Sequence, residues 1–194
     1  MRSIRPDDLR RALAQPLSAA PEREPPPGTV LTRAAVLVPV VDRGDGLHVL
    51  LTRRAEHLHH HPGQISFPGG RHEDGDASPE ATALRETEEE IGVPAASIEV
   101  IGRLPEYVTV TGFRITPVVG LLRPPLEFQP DAFEVAEIFE VPLDFLADTT
   151  NHSWHDVIYE GRKGGYWAMP WQGYNIWGAT AGMLRMLARG LSLD

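Results

Sequence analysis

An α/β domain, with a mixed β-sheet sandwiched between α-helices, is the fold class this sequence predicts, and three observations lead there. Strand-length apolar runs recur from Ala34 to about Tyr159. Two longer segments, 79–91 and 177–189, carry helical periodicity. Regular strand–helix–strand alternation is missing, as are a G-x-G-x-x-G turn and a P-loop, which argues against a doubly wound dinucleotide fold.

Taken in order, residues 6–15 (PDDLRRALAQ) form a short helix, with Pro6 in its first turn and Leu9, Ala12 and Leu13 on one face. The stretch 21–28 (PEREPPPG) holds four prolines and forbids regular structure. It reads as an extended strap, so residues 1–30 are expected to form a helix and strap ahead of a main domain at 31–194. Ala34–Val41 is an apolar run of strand length, Arg43-Gly44-Asp45-Gly46 a hairpin turn, and Leu47–Thr52 the partner strand. Gly63–Gly70 (GQISFPGG) reads as a short strand entering a glycine turn. Further strands are expected at Ile98–Leu104, Arg114–Leu122, Glu134–Val141 and Asp156–Tyr159. A closing helix, Trp177–Arg189, buries Met183, Leu184, Leu187 and Ala188 on one face.

With 42% hydrophobic and 23% charged residues in 194, the chain has the balance of one globular domain. Its net charge of −9 argues against a nucleic acid or an anionic membrane as partner. A phosphorylated small molecule stays open, because a bound metal or a local cationic patch inverts the field. The absence of cysteine excludes disulfides, thiolate metal sites and cysteine nucleophiles. No apolar run approaches the ~18 residues that span a bilayer, and the N-terminus lacks the core of a signal peptide. A cytoplasmic location is expected.

The helix over 79–91 has ordinary ends: Ser78 suits the N-cap, Pro79 the first turn and Gly92 the stop. Ala81, Ala83, Leu84 and Ile91 give it an apolar side. Its charges are out of place. Glu86, Glu88, Glu89 and Glu90 crowd the C-terminal half, where the helix dipole disfavours each anion by ~0.3–1 kcal/mol. At ~100° per residue, Glu86, Glu89 and Glu90 share roughly a 100° arc, while Glu88 points away. One reading is a solvated acidic face with Arg85 paired to Glu89. The other is a set of hard oxygen ligands for Mg²⁺ or Mn²⁺.

From Gly70 to Val93 the sequence resembles the box of the Nudix hydrolase superfamily, G-x5-E-x7-R-E-U-x-E-E-x-G-U, where U is bulky and aliphatic. Gly70 and Arg85-Glu86-Thr87-Glu88-Glu89-Glu90-Ile91-Gly92-Val93 carry the match. Two departures stand out: Asp76 replaces the upstream glutamate and lies one residue further from the arginine, and Thr87 occupies the U position. The resemblance implies a diphosphate hydrolase in which Glu86, Glu89 and Glu90 hold the metal. Arg85 would orient those glutamates, and the glycine turn at Gly69-Gly70 would let backbone approach the metal–diphosphate. The general base would come from Glu89, or from Glu134 or Glu137 in DAFEVAEIFEVP, two residues that read equally well as edge-strand charges.

Upstream, Leu50-Leu-Thr-Arg-Arg-Ala-Glu-His-Leu-His-His-His-Pro-Gly-Gln-Ile-Ser-Phe-Pro-Gly-Gly70 is similar to the signature L-L-T-x-R-[SA]-x3-R-x3-G-x3-F-P-G-G of the coenzyme A diphosphatase branch. His59 stands where that pattern has arginine, and the phrase Tyr174-Asn-Ile-Trp-Gly-Ala-Thr-Ala is also similar to this branch. The resemblance implies a small-molecule substrate, coenzyme A or a derivative, cleaved to 4′-phosphopantetheine and 3′,5′-ADP. Arg53, Arg54, His59, Gln64, Phe67, Gly69 and Gly70 would contact it. The block Arg53/Arg54 with His57, His59, His60 and His61 would seat the 3′-phosphate; a solvated loop and, less readily, a zinc site are the other readings. ADP-ribose or NADH is the rival substrate class, and a non-catalytic nucleotide sensor the rival function.

Overall fold

The computed structural model describes residues 3–17, 28–59, 61–159 and 162–192. Apart from Gly28, the proline-rich stretch lies outside the described residues, as does His60. The core strand is β1 (Thr32–Asp42), whose alternate residues are buried on both faces. A four-residue turn, with Gly44 at φ 85° and the Arg43 N–H donating to the Gly46 carbonyl at 3.1 Å, returns the chain into β2 (Leu47–Arg54). Two short strands follow, β3 (Ile65–Ser66) and β4 (Gly69–Arg71), then the helix α2 (Pro79–Ile91). The shorter helix before β1 is α1 (Pro6–Ala14).

Next come β5 (Ile98–Arg103), β6 (Tyr107–Val108), β7 (Phe113–Leu122) and β8 (Val135–Pro142). The large sheet runs β3-β2-β1-β7-β5, with β4 added on β1, β6 on β7 and β8 on β2. β1 and β7 are parallel over ten residue pairs, Thr32↔Phe113 to Val41↔Leu122, while β1–β2 and β2–β8 are antiparallel. The sheet is therefore mixed, as expected.

Alternation along β1 and β2 sorts the core. Ala35, Leu37, Val41 and Leu50 pack with Ala83 and Ile91 of α2 on one face. Val38, Val40, Val49 and Leu51 pack on the other face with Leu9 of α1 and Met183, Leu184 and Leu187 of α4 (Gly178–Leu191). Helix α3 (Leu143–Ala147) joins that second layer through Leu143 and Leu146. Among the described residues, no helix is long and apolar enough to cross a membrane.

Three expectations need correction. The strand at Asp156–Tyr159 is longer, β9 (Ser153–Tyr159), and belongs to a separate three-stranded sheet with β10 (Arg162–Trp171) and β11 (Tyr174–Trp177). Two glycines and a proline inside β10 mask its strand character in the sequence. The Gly69-Gly70 pair is no turn: it is strand β4, paired with Val36 and Ala35 of β1. Finally, α2 buries Thr82, Ala83, Thr87, Glu90 and Ile91, a stripe more polar than Ala81, Ala83, Leu84 and Ile91 would make.

Leu9 is fully buried, so α1 is an integral part of the core. Leu9→Ala is expected to lower the unfolding free energy in urea by about 2–5 kcal/mol. A loss under about 1 kcal/mol would mean the helix is not docked.

Candidate active site

Helix α2 is set by its ends. Ser78 accepts from the Ala81 N–H at 3.3 Å, Pro79 opens the first turn, and Gly92 closes the helix at φ 72°. Beyond it, the Gln129 N–H donates to the Ile91 carbonyl and the Asp131 N–H to the Glu90 carbonyl, both at 2.9 Å. Those bonds satisfy carbonyls a helix end leaves open, and they pin the loop that carries Glu134 against α2. Thr87, at the aliphatic position of the box, is buried and donates to the Ala83 carbonyl at 2.6 Å, so its hydroxyl is satisfied within its own helix.

Arg85 is the hub. Its Nε and Nη2 donate to the two oxygens of Asp76 at 3.1 and 3.0 Å, a bidentate pair. Its Nη1 donates to Glu86 at 2.7 Å and to Glu89 at 3.2 Å, and Nη2 also reaches the Arg71 carbonyl at 3.2 Å. Asp76 is held in turn by the Thr82 hydroxyl at 2.9 Å and the Glu73 N–H at 3.0 Å. The guanidinium and these donors hold the Asp76 carboxyl well below the usual carboxylate range. The shortened side chain and extra residue at Asp76 thus still deliver a carboxylate to Arg85. The sequence missed Thr82 and His72, whose Nδ1 lies 3.0 Å from the Thr82 hydroxyl; neither carries a motif signal.

Glu86, Glu90 and Glu134 repel one another, with Arg85 on Glu86 and Arg54 on Glu90 as the opposing cations. Glu90 is 6% exposed, and burial first, then repulsion from Glu134, pushes its carboxyl up to about 8, against the pull of Arg54 and the Gly69 N–H. Burial likewise raises Glu86, opposed by Arg85. Glu89 is different: its side chain is 59% exposed and turned to Arg85. Among the described residues, no three His, Asp or Glu side chains are gathered tightly enough to hold a metal ion as they stand.

The glycines explain the geometry. A Cβ at Gly69 would lie 2.5 Å from the Ala35 carbonyl oxygen, and one at Gly70 would lie 2.5 Å from the Glu86 carboxylate carbon. Backbone and carboxylate meet there at a distance only glycine permits. Mutually repelling carboxylates, Glu90 buried and Glu86 and Glu134 partly so, against open backbone are the donor chemistry of a hard divalent cation, so the residues present fit Mg²⁺ or Mn²⁺.

The other candidates divide. Arg53 and Arg54 point to opposite faces of β2, as strand alternation requires. Arg54 acts on Glu90, whereas Arg53 pairs with Glu137 at 3.1 Å on the face of α4. Glu137 also accepts from the Tyr174 hydroxyl at 2.6 Å, and Tyr174 stacks on Phe139 with ring centroids 3.9 Å apart. Glu134 and Glu137, three residues apart, are thereby separated. Phe67 is 3% exposed and packs in the core. Gln64 is half-buried, and its carbonyl accepts from the Arg54 N–H at 3.0 Å. His57, His59 and His61 are exposed.

Because its partners depress the folded-state pKa of Asp76, its contribution to stability is present above the unfolded value of about 3.9 and is lost as pH falls below it. Wild-type stability in metal-free buffer is therefore expected to drop more steeply between about pH 5 and pH 2 than that of Asp76→Asn. Parallel pH profiles in urea unfolding would refute the assignment.

The family model described as NUDIX domain matches residues 31–161. The uncharacterized Nudix hydrolases NudL of Enterobacter sp. (strain 638) and Escherichia coli (strain K12) are each 44% identical to this chain, covering 80% of it and 81% of their own length. Among solved structures, a Nudix hydrolase from M. smegmatis, RenU, aligns at 28% identity and TM-score 0.51, over 63% of this chain and 83% of its own. A MutT/nudix family protein from Enterococcus faecalis shares the fold at 18% identity and TM-score 0.51, over 87% of this chain and 64% of its own. With a domain match over most of its length and close relatives over four-fifths of it, the chain belongs to the Nudix hydrolase family.

Proposed function

We propose that this chain hydrolyses the diphosphate bond of coenzyme A or its derivatives, giving 4′-phosphopantetheine and 3′,5′-ADP, with Mg²⁺ or Mn²⁺ held by Glu86, Glu89 and Glu90. The observation that carries the chemistry is the crowding of Glu86, Glu90 and Glu134 against the Gly69–Gly70 backbone, with Arg54 the neighbouring cation. The choice of coenzyme A rests on the Leu50–Gly70 signature.

When bound, the divalent cation neutralises the carboxylates and the non-bridging phosphate oxygens. The chain's own groups do the rest. Asp76 fixes Arg85, and Arg85 holds Glu86 and Glu89 in register on one face of α2. The Gly69 N–H anchors Glu90, and Arg54 offsets charge on the substrate phosphates. Glu134 accepts the proton of the attacking water as its oxygen bonds to phosphorus and the bridging P–O bond breaks. Glu134 is preferred over Glu137, which faces Arg53 and Tyr174 on the other face of the sheet, and over Glu89, which is tied to Arg85.

Incubation with Mg²⁺ or Mn²⁺ and chromatographic analysis of products tests the reading with coenzyme A, dephospho-coenzyme A, ADP-ribose and NADH. Coenzyme A is expected to be cleaved best; preference for ADP-ribose or NADH would overturn the substrate, and no cleavage at all would overturn the reaction. Glu90→Gln is expected to lose at least about 100-fold in turnover. Since ionising Glu90 costs folding free energy, the variant should melt no lower than wild type in metal-free buffer above about pH 8. Glu134→Gln is expected to lose about 10²–10⁴-fold and Glu137→Gln far less; the reverse order would move the base to Glu137.

A further inference from the structure

Phe133 is 65% exposed, yet it is among the most firmly positioned residues of its loop. Its N–H donates to the Asp131 carboxylate at 2.9 Å, and the next two N–H groups, of Glu134 and Val135, donate to the Asp131 carbonyl at 3.0 and 2.8 Å. Asp131 itself hangs from the Glu90 carbonyl at the end of α2. A lone exposed phenylalanine on a mobile loop would call for no explanation. One whose backbone is locked in place next to Glu134, a member of the carboxylate cluster, does.

The second wall comes from the loop after β2. His57 follows Arg54 by three residues, and its ring meets that of Phe133 with centroids 4.8 Å apart, tilted by 58°. The Ala55 N–H donates to the Glu134 carbonyl at 2.9 Å and stitches the two loops together just below the rings. A tilted pair of this kind stiffens the phenyl ring while leaving most of it open to solvent.

We infer that Phe133, backed by His57, is the stacking face for the nucleobase of the diphosphate substrate, and so favours diphosphates that carry a nucleoside over those that do not. This builds on the diphosphatase reading, because it takes the carboxylate floor as the place of the diphosphate. A flat aromatic face at the rim of such a floor matches a ligand that joins a diphosphate to a planar ring. A flexible amide chain such as pantetheine gains little from one open ring face, whereas every base has a π-face to lay on it.

Calorimetric titration of the full chain with adenosine 3′,5′-bisphosphate and with 4′-phosphopantetheine tests the inference without turnover, since neither contains a diphosphate bond. Phe133→Ala should weaken the bisphosphate roughly tenfold while 4′-phosphopantetheine changes by less than about twofold. Phe133→Trp should restore binding, and Phe133→Leu, apolar but without a ring, should not. The inference is overturned if wild type does not bind the bisphosphate, if Phe133→Ala binds it unchanged, if Phe133→Leu replaces phenylalanine fully, or if only 4′-phosphopantetheine is weakened. Ring-dependent bisphosphate binding in a chain that cleaves neither coenzyme A nor ADP-ribose would sustain the stacking face and sink the diphosphatase reading.

Discussion

Arg85 and Asp76 form the pairing on which the rest of the site depends. A helix whose C-terminal half carries four glutamates works against both its own dipole and the mutual repulsion of the side chains. One guanidinium, with five donors in a rigid fork, answers Asp76, Glu86, Glu89 and the Arg71 carbonyl at once. Lysine at this position would have the charge without the fork. Asp76 ties the loop before α2 to the helix itself, so the carboxylate face is set in orientation as well as composition.

Around that pairing, the Nudix architecture sorts neighbouring residues by which way the backbone turns them. Arg53 and Arg54 are adjacent in sequence and serve opposite faces of β2. Glu134 and Glu137 begin the same strand region and part company in the same way. A chain with net charge −9 thus spends one arginine on the carboxylate cluster and the other on a structural bridge that joins β8 to β11 through Tyr174. His57, His59 and His61 of the loop after β2 are exposed, and the ring of His57 meets Phe133.

Much of this was legible in the sequence, and the pattern of success follows the physics. Helix α2 was readable to the residue because Ser78, Pro79 and Gly92 each act locally. The hairpin of β1 and β2 was readable because apolar runs flank a glycine-rich turn. Gly69-Gly70 was misread as a turn because glycine marks close approach as well as positive φ, and only the fold reveals that Ala35 and Glu86 are what approach. Phe67 sits inside a functional signature, and the sequence does not reveal that its ring packs in the core. Strand β10 stayed hidden because two glycines and a proline interrupt it, although its partners β9 and β11 are its immediate neighbours in the chain. The Glu134–Glu90 encounter and the Phe133–His57 rim were beyond any reading of spacing, since each joins segments that meet only in three dimensions.

The parallel pairing of β1 with β7 has a consequence for how the molecule is made. The two strands are separated by about eighty residues; α2 and β4, with Glu86, Glu89 and Glu90, lie in the loop they close, and Glu134 follows β7. A ribosome therefore releases the apolar β1 well before the strand that flanks it exists, leaving an open edge that invites association with other chains. The hydrolytic site assembles only after this long-range closure, which makes it a late event in folding. A partly folded copy is then a sticky molecule without being an active one, so dosage of the newly made chain and dosage of the enzyme are not the same quantity.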